Sequence, residues 1–215
     1  MYFFVFILVL LVNAVVGEEV RITNVDEFIQ FKDNVNGGAN YSGTTVFLES
    51  DLDFTGKSFE PIGTYNYWGD SNYFNGTFDG QGHVISNLVM SSSSLESVGL
   101  FGSSATLTIK NVIIDSSCSF ASSYNGSSSE FDYGYVGGVI GYCYAYNGNC
   151  TIENSVNMAS VAFSGNISGR GELYLGGVVG ELYSSKNDST MKNCANYGDV
   201  IYSGKSELSY IGGIA

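Results

Sequence analysis

Apolar residues in this chain fall in short runs that return at a fixed distance, and none forms a long amphipathic stretch. One glycine-rich run occupies residues 135–141, returns at 174–180 and begins again at 210–215. A shorter form closes at Gly102, and the closing glycines of the three complete runs are 39 and 39 residues apart. A fixed spacing of this size is typical of stacked repeat architectures.

A second marker accompanies the glycine-rich run. Asn111, Asn154 and Asn193 each follow an apolar residue and a charged residue, and Asn87 fits the same register. The steps between these asparagines are 24, 43 and 39 residues, and the shortest step holds three short apolar runs. Three strands per turn predict a parallel β-helix, in which each repeat contacts only its neighbours. At a bend, the asparagines would stack and bond backbone groups that the corner leaves unpaired.

The segment before the repeats has a different pattern. Residues 20–22 read as a strand, and Asn24 with Glu27 has the form of a helix capping box. The amphipathic stripe that follows consists of Val25, Phe28, Ile29, Lys32 and Val35. Gly37 and Gly38 end this stripe, so we predict a short helix that covers the open end of the repeat stack. A helix that binds a partner is the alternative.

Four segments in order, residues 74–88, 98–102, 108–112 and 136–141, resemble proteins with the GLUG motif. The resemblance extends from about Leu52 to the end of the chain. It implies a right-handed parallel β-helix in an extracellular, often adhesin-like, repeat protein, and it brings no catalytic residues.

The domain organisation follows from these patterns. Residues 2–12 are apolar without a break, and small residues precede Glu18, so residues 1–17 are predicted to be a secretory signal peptide. The run is too short for a membrane span. We expect residues 18–51 to form the N-terminal cap and first coil, and residues 52–215 to form GLUG-like repeats that continue in a longer protein.

The charge of the chain narrows the choice of partners. Its formal net charge is −13, with 8 lysines and arginines against 21 acidic residues. Nucleic acid binding needs clustered positive charge, so nucleic acid is not an expected partner. A hydrophobic content of 44% suffices for a packed core, which argues against disorder. We expect a secreted or cell-surface protein that binds a glycan or an extracellular protein surface.

Four cysteines in a secreted chain allow three disulfide connectivities. Cys143 and Cys150 bracket a turn-like sequence and are predicted to close a small loop. Cys118 and Cys194 are expected to remain buried thiols.

Acceptor sequons for N-glycosylation occur at six asparagines. They are Asn40, Asn75, Asn125, Asn149, Asn166 and Asn187. Asn125 and Asn187 are the best acceptors because they fall in loops, whereas Asn75 and Asn149 sit close to predicted strands.

Aromatic side chains in the loop at residues 63–74 are the predicted ligand-binding residues. They are Tyr65, Tyr67, Trp68 and Tyr73. Such rings can stack on sugars, or they can pack on the side of the repeats. Residues 142–146 alternate and place three tyrosines on one face, which predicts a solvent-side tyrosine ladder or a contact surface.

Little in the sequence favours catalysis. Asp51 and Asp53 share a strand face, while Asp79 and His83 flank a glycine turn and read as turn formers. A single histidine argues against a histidine-rich zinc site, and we expect neither a metal nor a cofactor. The predicted function is an adhesin-like contact through loops. A structural spacer of a surface coat or stalk is the alternative, and a polysaccharide lyase or hydrolase is a third interpretation.

Overall fold

The computed structural model describes residues 18–65, 71–126, 132–168 and 170–214. This part of the chain is almost entirely β-strand, with a single helix within it, and all pairs between its named strands are parallel. The predicted signal peptide lies outside the described residues.

The helix α1 spans Val25–Asn36. The strands are β1 Glu19–Ile22, β2 Thr45–Leu48, β3 Leu52–Asp53, β4 Thr77–Asp79, β5 Val84–Ser86, β6 Val89–Ser92, β7 Ser97–Val98, β8 Phe101–Ser104, β9 Leu107–Lys110, β10 Ile113–Ile114, β11 Ser119–Ser122, β12 Tyr133–Val136, β13 Ile140–Ala145, β14 Cys150–Glu153, β15 Val156–Asn157, β16 Ser160–Phe163, β17 Glu172–Gly176, β18 Val179–Ser184, β19 Thr190–Lys192, β20 Ala195–Asn196, β21 Val200–Tyr202 and β22 Leu208–Gly212.

These strands form five parallel sheets. Their strand orders are β1-β2-β4-β9-β14-β19, β3-β5-β10-β15-β20, β6-β11-β16-β21, β7-β12-β17-β22 and β8-β13-β18. From β4 onward, each repeat adds one strand to each sheet in turn. The expectation of three strands per turn is therefore wrong. Two-residue strands such as β10 are too short to show a period of their own in the hydrophobic pattern.

The predicted asparagine corners are confirmed. Asn111, Asn154 and Asn193 all have left-handed backbone, with φ of 56°, 49° and 53°. The Asn154 amide donates to Asn111 Oδ1 at 3.2 Å, and the Asn193 amide donates to Asn154 Oδ1 at 3.1 Å. Asparagine tolerates this conformation better than most residues, so a bend and a side-chain ladder coincide at one position.

Asn87 does not belong to this series, which corrects the register inferred from the sequence. It follows β5, which pairs with β10, and β10 comes after the corner at Asn111. Asn87 therefore sits one corner later, where its amide donates to Asp53 Oδ1 at 2.8 Å. Gly80 is the residue opposite Asn111, because Asp79 pairs with Lys110.

Helix α1 begins and ends as predicted. Asn24 Oδ1 accepts from the Glu27 backbone N–H at 3.0 Å, and Gly37 follows the last turn. In a capping box the Glu27 carboxylate would accept from the N–H of the N-cap residue, Asn24. Here it accepts from the N–H of the preceding residue, Thr23, at 2.7 Å. The helix buries Phe28, Phe31 and Val35, and Phe31 was absent from the predicted stripe.

An aromatic cluster joins the helix to the sheets. The Phe28 ring centroid lies 5.6 Å from that of Phe54, 5.6 Å from that of Phe59 and 6.0 Å from that of Phe78. The pairs with Phe54 and Phe78 are edge-to-face, a geometry that adds to the gain from burial. The core begins beneath the helix and continues through the apolar residues of all five sheets.

Five of the six strands of the first sheet, all except β1, carry a threonine in a single file. Its members are Thr45, Thr77, Thr108, Thr151 and Thr190. Two residues further along, Asp79, Lys110, Glu153 and Lys192 form a parallel file of alternating charge. Opposite charges on neighbouring strands support the pairing.

Cys143 and Cys150 form a disulfide, with their Cα atoms 6.4 Å apart. Cys118 is a buried free thiol, and Cys194 is a half-buried one. The Cys118 thiol accepts from the Leu88 N–H at 3.4 Å, which ties this side chain to the adjacent repeat.

Substitutions at Asn154 separate the two roles of the corner. Asn154→Gly keeps the left-handed backbone and removes the ladder bonds, whereas Asn154→Ala also places an ordinary residue at positive φ. We expect Asn154→Ala to unfold with about 1 kcal/mol less stability than Asn154→Gly, measured by urea denaturation. Equal stability of the two variants would show that backbone strain is not what selects asparagine.

Candidate functional site

A groove of about 550 Å³ lies where the fourth and fifth sheets meet. It is lined by Tyr65, Ser71, Tyr73, Tyr133, Tyr135, Tyr142, Tyr144, Glu172, Tyr174, Glu181 and Tyr183. The fourth sheet and the fifth sheet each supply four of these residues, and the loop before β4 supplies three. The groove is therefore built on strands, with one loop closing it.

A glycine bend explains why the two sheets converge here. Val136 and Cys143 point into the core, so their neighbours Tyr135 and Tyr142 lie on the outer faces of β12 and β13. Between these strands, a Cβ on Gly138 would come within 2.6 Å of the Gly177 carbonyl oxygen. Only glycine fits this close approach, so the glycines permit the bend at which the outer faces of β12 and β13 meet.

Tyrosine rings from successive repeats stack along this groove. Tyr135 and Tyr142 are stacked at 4.2 Å between centroids, and Tyr135 stacks on Tyr174 at 5.4 Å. Tyr144 stacks on Tyr183 at 5.1 Å. The partners Tyr135 and Tyr174 are directly paired in register, as are Tyr144 and Tyr183. Since these rings use their faces on each other, their edges and hydroxyl groups are what they offer a ligand.

Two carboxyl groups lie in the same groove. Tyr174 Oη donates a short hydrogen bond to Glu172 Oε2. Glu181 is half-buried on β18, in register with Tyr142. Burial, and then the charge of Glu172, raise the pKa of Glu181 from its ordinary 4.5 to about 7. Glu181 therefore titrates near neutral pH.

The phenol groups around these carboxyls stay protonated. Burial raises the pKa of Tyr135, Tyr142 and Tyr174 well above the ordinary value of 10, and the nearby glutamates raise it further. A protonated phenol can both donate and accept a hydrogen bond. The groove thus presents polar hydrogen-bonding groups on an apolar aromatic wall.

The structure places two of the four predicted ligand-binding residues in this groove. Tyr65 contacts Tyr142 edge-on at 5.2 Å and Tyr135 at 6.1 Å, and Tyr73 lines the wall nearby. Tyr67 and Trp68 lie outside the described residues. The strand-borne lining residues were not predicted as a site, although the tyrosine that opens each glycine-rich run was visible in the sequence.

Tyr142 and Tyr144 belong to strand β13. Tyr142 is buried within the groove, while Tyr144 is partly exposed and stacks with Tyr146 at 6.3 Å. Lys186 places its ammonium nitrogen 4.4 Å from the centroid of Tyr146. The tyrosines at positions 142, 144 and 146 therefore contribute both to a ladder of rings and to the groove wall.

The acidic residues considered for catalysis are used within the fold. Asp51 Oδ1 accepts from the Val84 N–H at 2.9 Å and lies 3.1 Å from His83 Nδ1. Asp53 accepts from Thr55, and Asp79 pairs with Lys110 at 3.2 Å. These bonds hold turns and neighbouring repeats, and none of these groups lines the tyrosine groove.

The six candidate glycosylation asparagines differ in exposure. Asn40, Asn125, Asn149, Asn166 and Asn187 are exposed. Asn75 is half-buried, and its Oδ1 accepts from the Thr106 N–H at 3.3 Å. Asn149 is thus more accessible than its position beside β14 led us to expect.

Comparisons with known proteins give a similarity of fold. No family model matches the chain, and no curated protein matches it. The fold is similar to a solved structure described as a "putative immunoglobulin A1 protease" from Bacteroides ovatus, with a TM-score of 0.54 and 17% sequence identity. The match covers 89% of this chain and 63% of that one, so this chain spans less than two thirds of that protein's length. At this identity the likeness concerns the fold alone.

Within the described residues, no helix has the length and apolar character needed to cross a bilayer. The same part of the chain holds no group of three histidine, cysteine or acidic side chains placed to bind a metal ion.

Glu181→Gln tests the electrostatics of the groove. Between pH 4.5 and about 7, the folded carboxyl binds a proton that the unfolded chain releases, so this residue lowers stability as the pH rises through that window. We expect Glu181→Gln to raise Tm by at least about 2 °C at pH 8 and to change it little at pH 4. Glu207→Gln, which removes the same formal charge at an exposed position, is the control. An equal gain in both variants would mean that net charge, and not burial, causes the effect.

Proposed function

We propose that this chain is a secreted or cell-surface repeat protein of the GLUG type that contacts a glycan through the tyrosine groove. This proposal rests on one observation, which is that eight tyrosines and two carboxyl groups line one open groove on a rigid scaffold. Aromatic walls with a few polar groups are typical of small-molecule sites. A sugar has the matching chemistry, because apolar C–H faces alternate with hydroxyl groups around its ring.

The same proposal includes the fold. Five strands recur in one order, and each pairs in parallel with the equivalent strand of the next repeat. A right-handed parallel β-helix with α1 at one end accounts for this recurrence. The GLUG-like spacing of the glycines supports the same interpretation, since the Gly137–Gly138 bend recurs at Gly176–Gly177.

The Cys143–Cys150 disulfide supports secretion, because disulfides persist mainly in oxidising compartments. The net charge of −13 disfavours anionic polysaccharides and membrane surfaces as partners. Each contact would be weak, so useful avidity would come from several sites on one longer chain or one surface. An adhesin-like role follows from this arrangement. A spacer remains the interpretation if the groove binds nothing.

Binding to a glycan array, followed by calorimetry on the best oligosaccharide, tests the proposal. Tyr144 and Tyr183 are 37% and 42% exposed, so their replacement should leave the core intact. We expect the Tyr144→Ala/Tyr183→Ala variant to weaken binding about tenfold or more. Tyr197→Ala, at a 76% exposed position outside the groove lining, is the matched control. Unchanged affinity of the double variant would place the site elsewhere.

Hydrolysis is the second candidate function. Its specific support is a pair of carboxyl groups in one cleft, of which Glu181 has a pKa of about 7 and would serve as a general acid, with Glu172 as its partner. The fold neighbour is itself described as a protease, which is a property of that protein. Release of reducing ends from bound oligosaccharides, abolished in both Glu181→Gln and Glu172→Gln, would establish an enzyme.

A further inference from the structure

The tyrosine groove has an unbalanced charge. Glu172 and Glu181 both line it, and no lysine or arginine is among its described lining residues. Glu172 receives a hydrogen bond from Tyr174. Across the described residues, Glu181 has neither a hydrogen bond nor an ion pair, although it is half-buried. Half-burial of a carboxylate without a partner carries a desolvation cost, and a cation beside it would offset that cost.

The groups that face Glu181 add no positive charge. They are Glu172 on β17, Tyr174 on the same strand, Tyr135 on β12 and Tyr142 on β13. The phenols remain neutral, so the second carboxylate is the only other charged group among them. Protonation of Glu181 relieves its repulsion with Glu172.

The phenol hydroxyls complete a receptor for an ammonium group. Each can accept an N–H bond from a cation while its own proton points elsewhere. A cation already packs on a ring at the rim of the same tyrosine array, where the Lys186 ammonium lies over the face of Tyr146 and donates to Asn147 Oδ1 at 3.0 Å.

We propose that the groove binds an amino sugar whose amine is free and protonated, with the ammonium held between Glu181 and Glu172. This inference rests on the proposed glycan-binding function and names the class of glycan. The ammonium donates to both carboxylates and to the surrounding phenols, while the sugar ring lies along the tyrosine edges. An N-acetylated sugar leaves Glu181 without a charged partner, because its amide is neutral. Affinity therefore depends on deacetylation.

A matched pair of ligands tests this inference. Glucosamine pentamer and N-acetylglucosamine pentamer differ in the charge at C2, and both can be titrated calorimetrically into the intact chain at pH 6. We expect the glucosamine oligomer to bind at least about tenfold more tightly, as a charge-assisted hydrogen bond requires. Its binding should release protons, seen as a dependence of the heat on the buffer, because Glu181 must ionise to receive the cation.

Two variants test whether Glu181 causes the preference for the glucosamine oligomer and the release of protons. Glu181→Gln should remove both the preference and the proton release, whereas Glu207→Gln should keep them. The thermal unfolding of each variant, measured beside the titrations, shows whether it is folded. Retained preference in a folded Glu181→Gln variant would overturn the assignment of this residue.

The remaining outcomes separate this inference from the proposed function. Equal affinity for the two oligomers, or tighter binding of the acetylated one, overturns the amino-sugar inference and leaves glycan binding in place. Failure of both oligomers and of every sugar on the array overturns both. A lysine-rich peptide that binds more tightly than the glucosamine oligomer would identify a basic protein surface as the partner, which also overturns the inference.

Discussion

The structure depends on the pairing of each strand with the equivalent strand one repeat away. Parallel backbone bonds hold Tyr135 opposite Tyr174 and Lys110 opposite Glu153, and the second pairing brings the corner residues Asn111 and Asn154 together. Equivalent residues of neighbouring repeats therefore lie side by side at the spacing of neighbouring strands, about 4.8 Å. The asparagine corners, the alternating charges of the first sheet and the stacked tyrosines are all consequences of this one register.

The sequence predicted those features that recur at one position in each repeat. The Asn111, Asn154 and Asn193 corners could be aligned by eye because each follows a strand of ordinary length. The strand count could not be derived, since β10 and its equivalents have only two or three residues and leave no period to detect. The same short strands caused Asn87 to be aligned with the wrong corner. The hydrogen bond between the buried Asn157 and the half-buried Asn196 escaped notice because asparagine signals a loop in most contexts.

The site was predicted in part for a similar reason. Tyr65 and Tyr73 stood out as aromatic residues in a polar loop, which is a local signal. The strand-borne wall is a product of geometry, since Tyr135 and Tyr142 are brought together only by the bend at Gly137–Gly138. Glu181 gave no signal at all, because its character comes from burial and from Glu172, which is on another strand. Environment, and not residue type, makes it unusual.

The threonine file of the first sheet has a consequence for how this chain can vary. Its members are separated by 32, 31, 43 and 39 residues along the chain, yet they occupy one straight row. The number of residues between two successive threonines therefore does not affect their positions in the row. Insertions and deletions between strands leave the scaffold unchanged, while a single inserted residue inside a strand would reverse which side chains face the core. The loops that form the outer surface can therefore change in length and sequence while the packing of the interior stays the same.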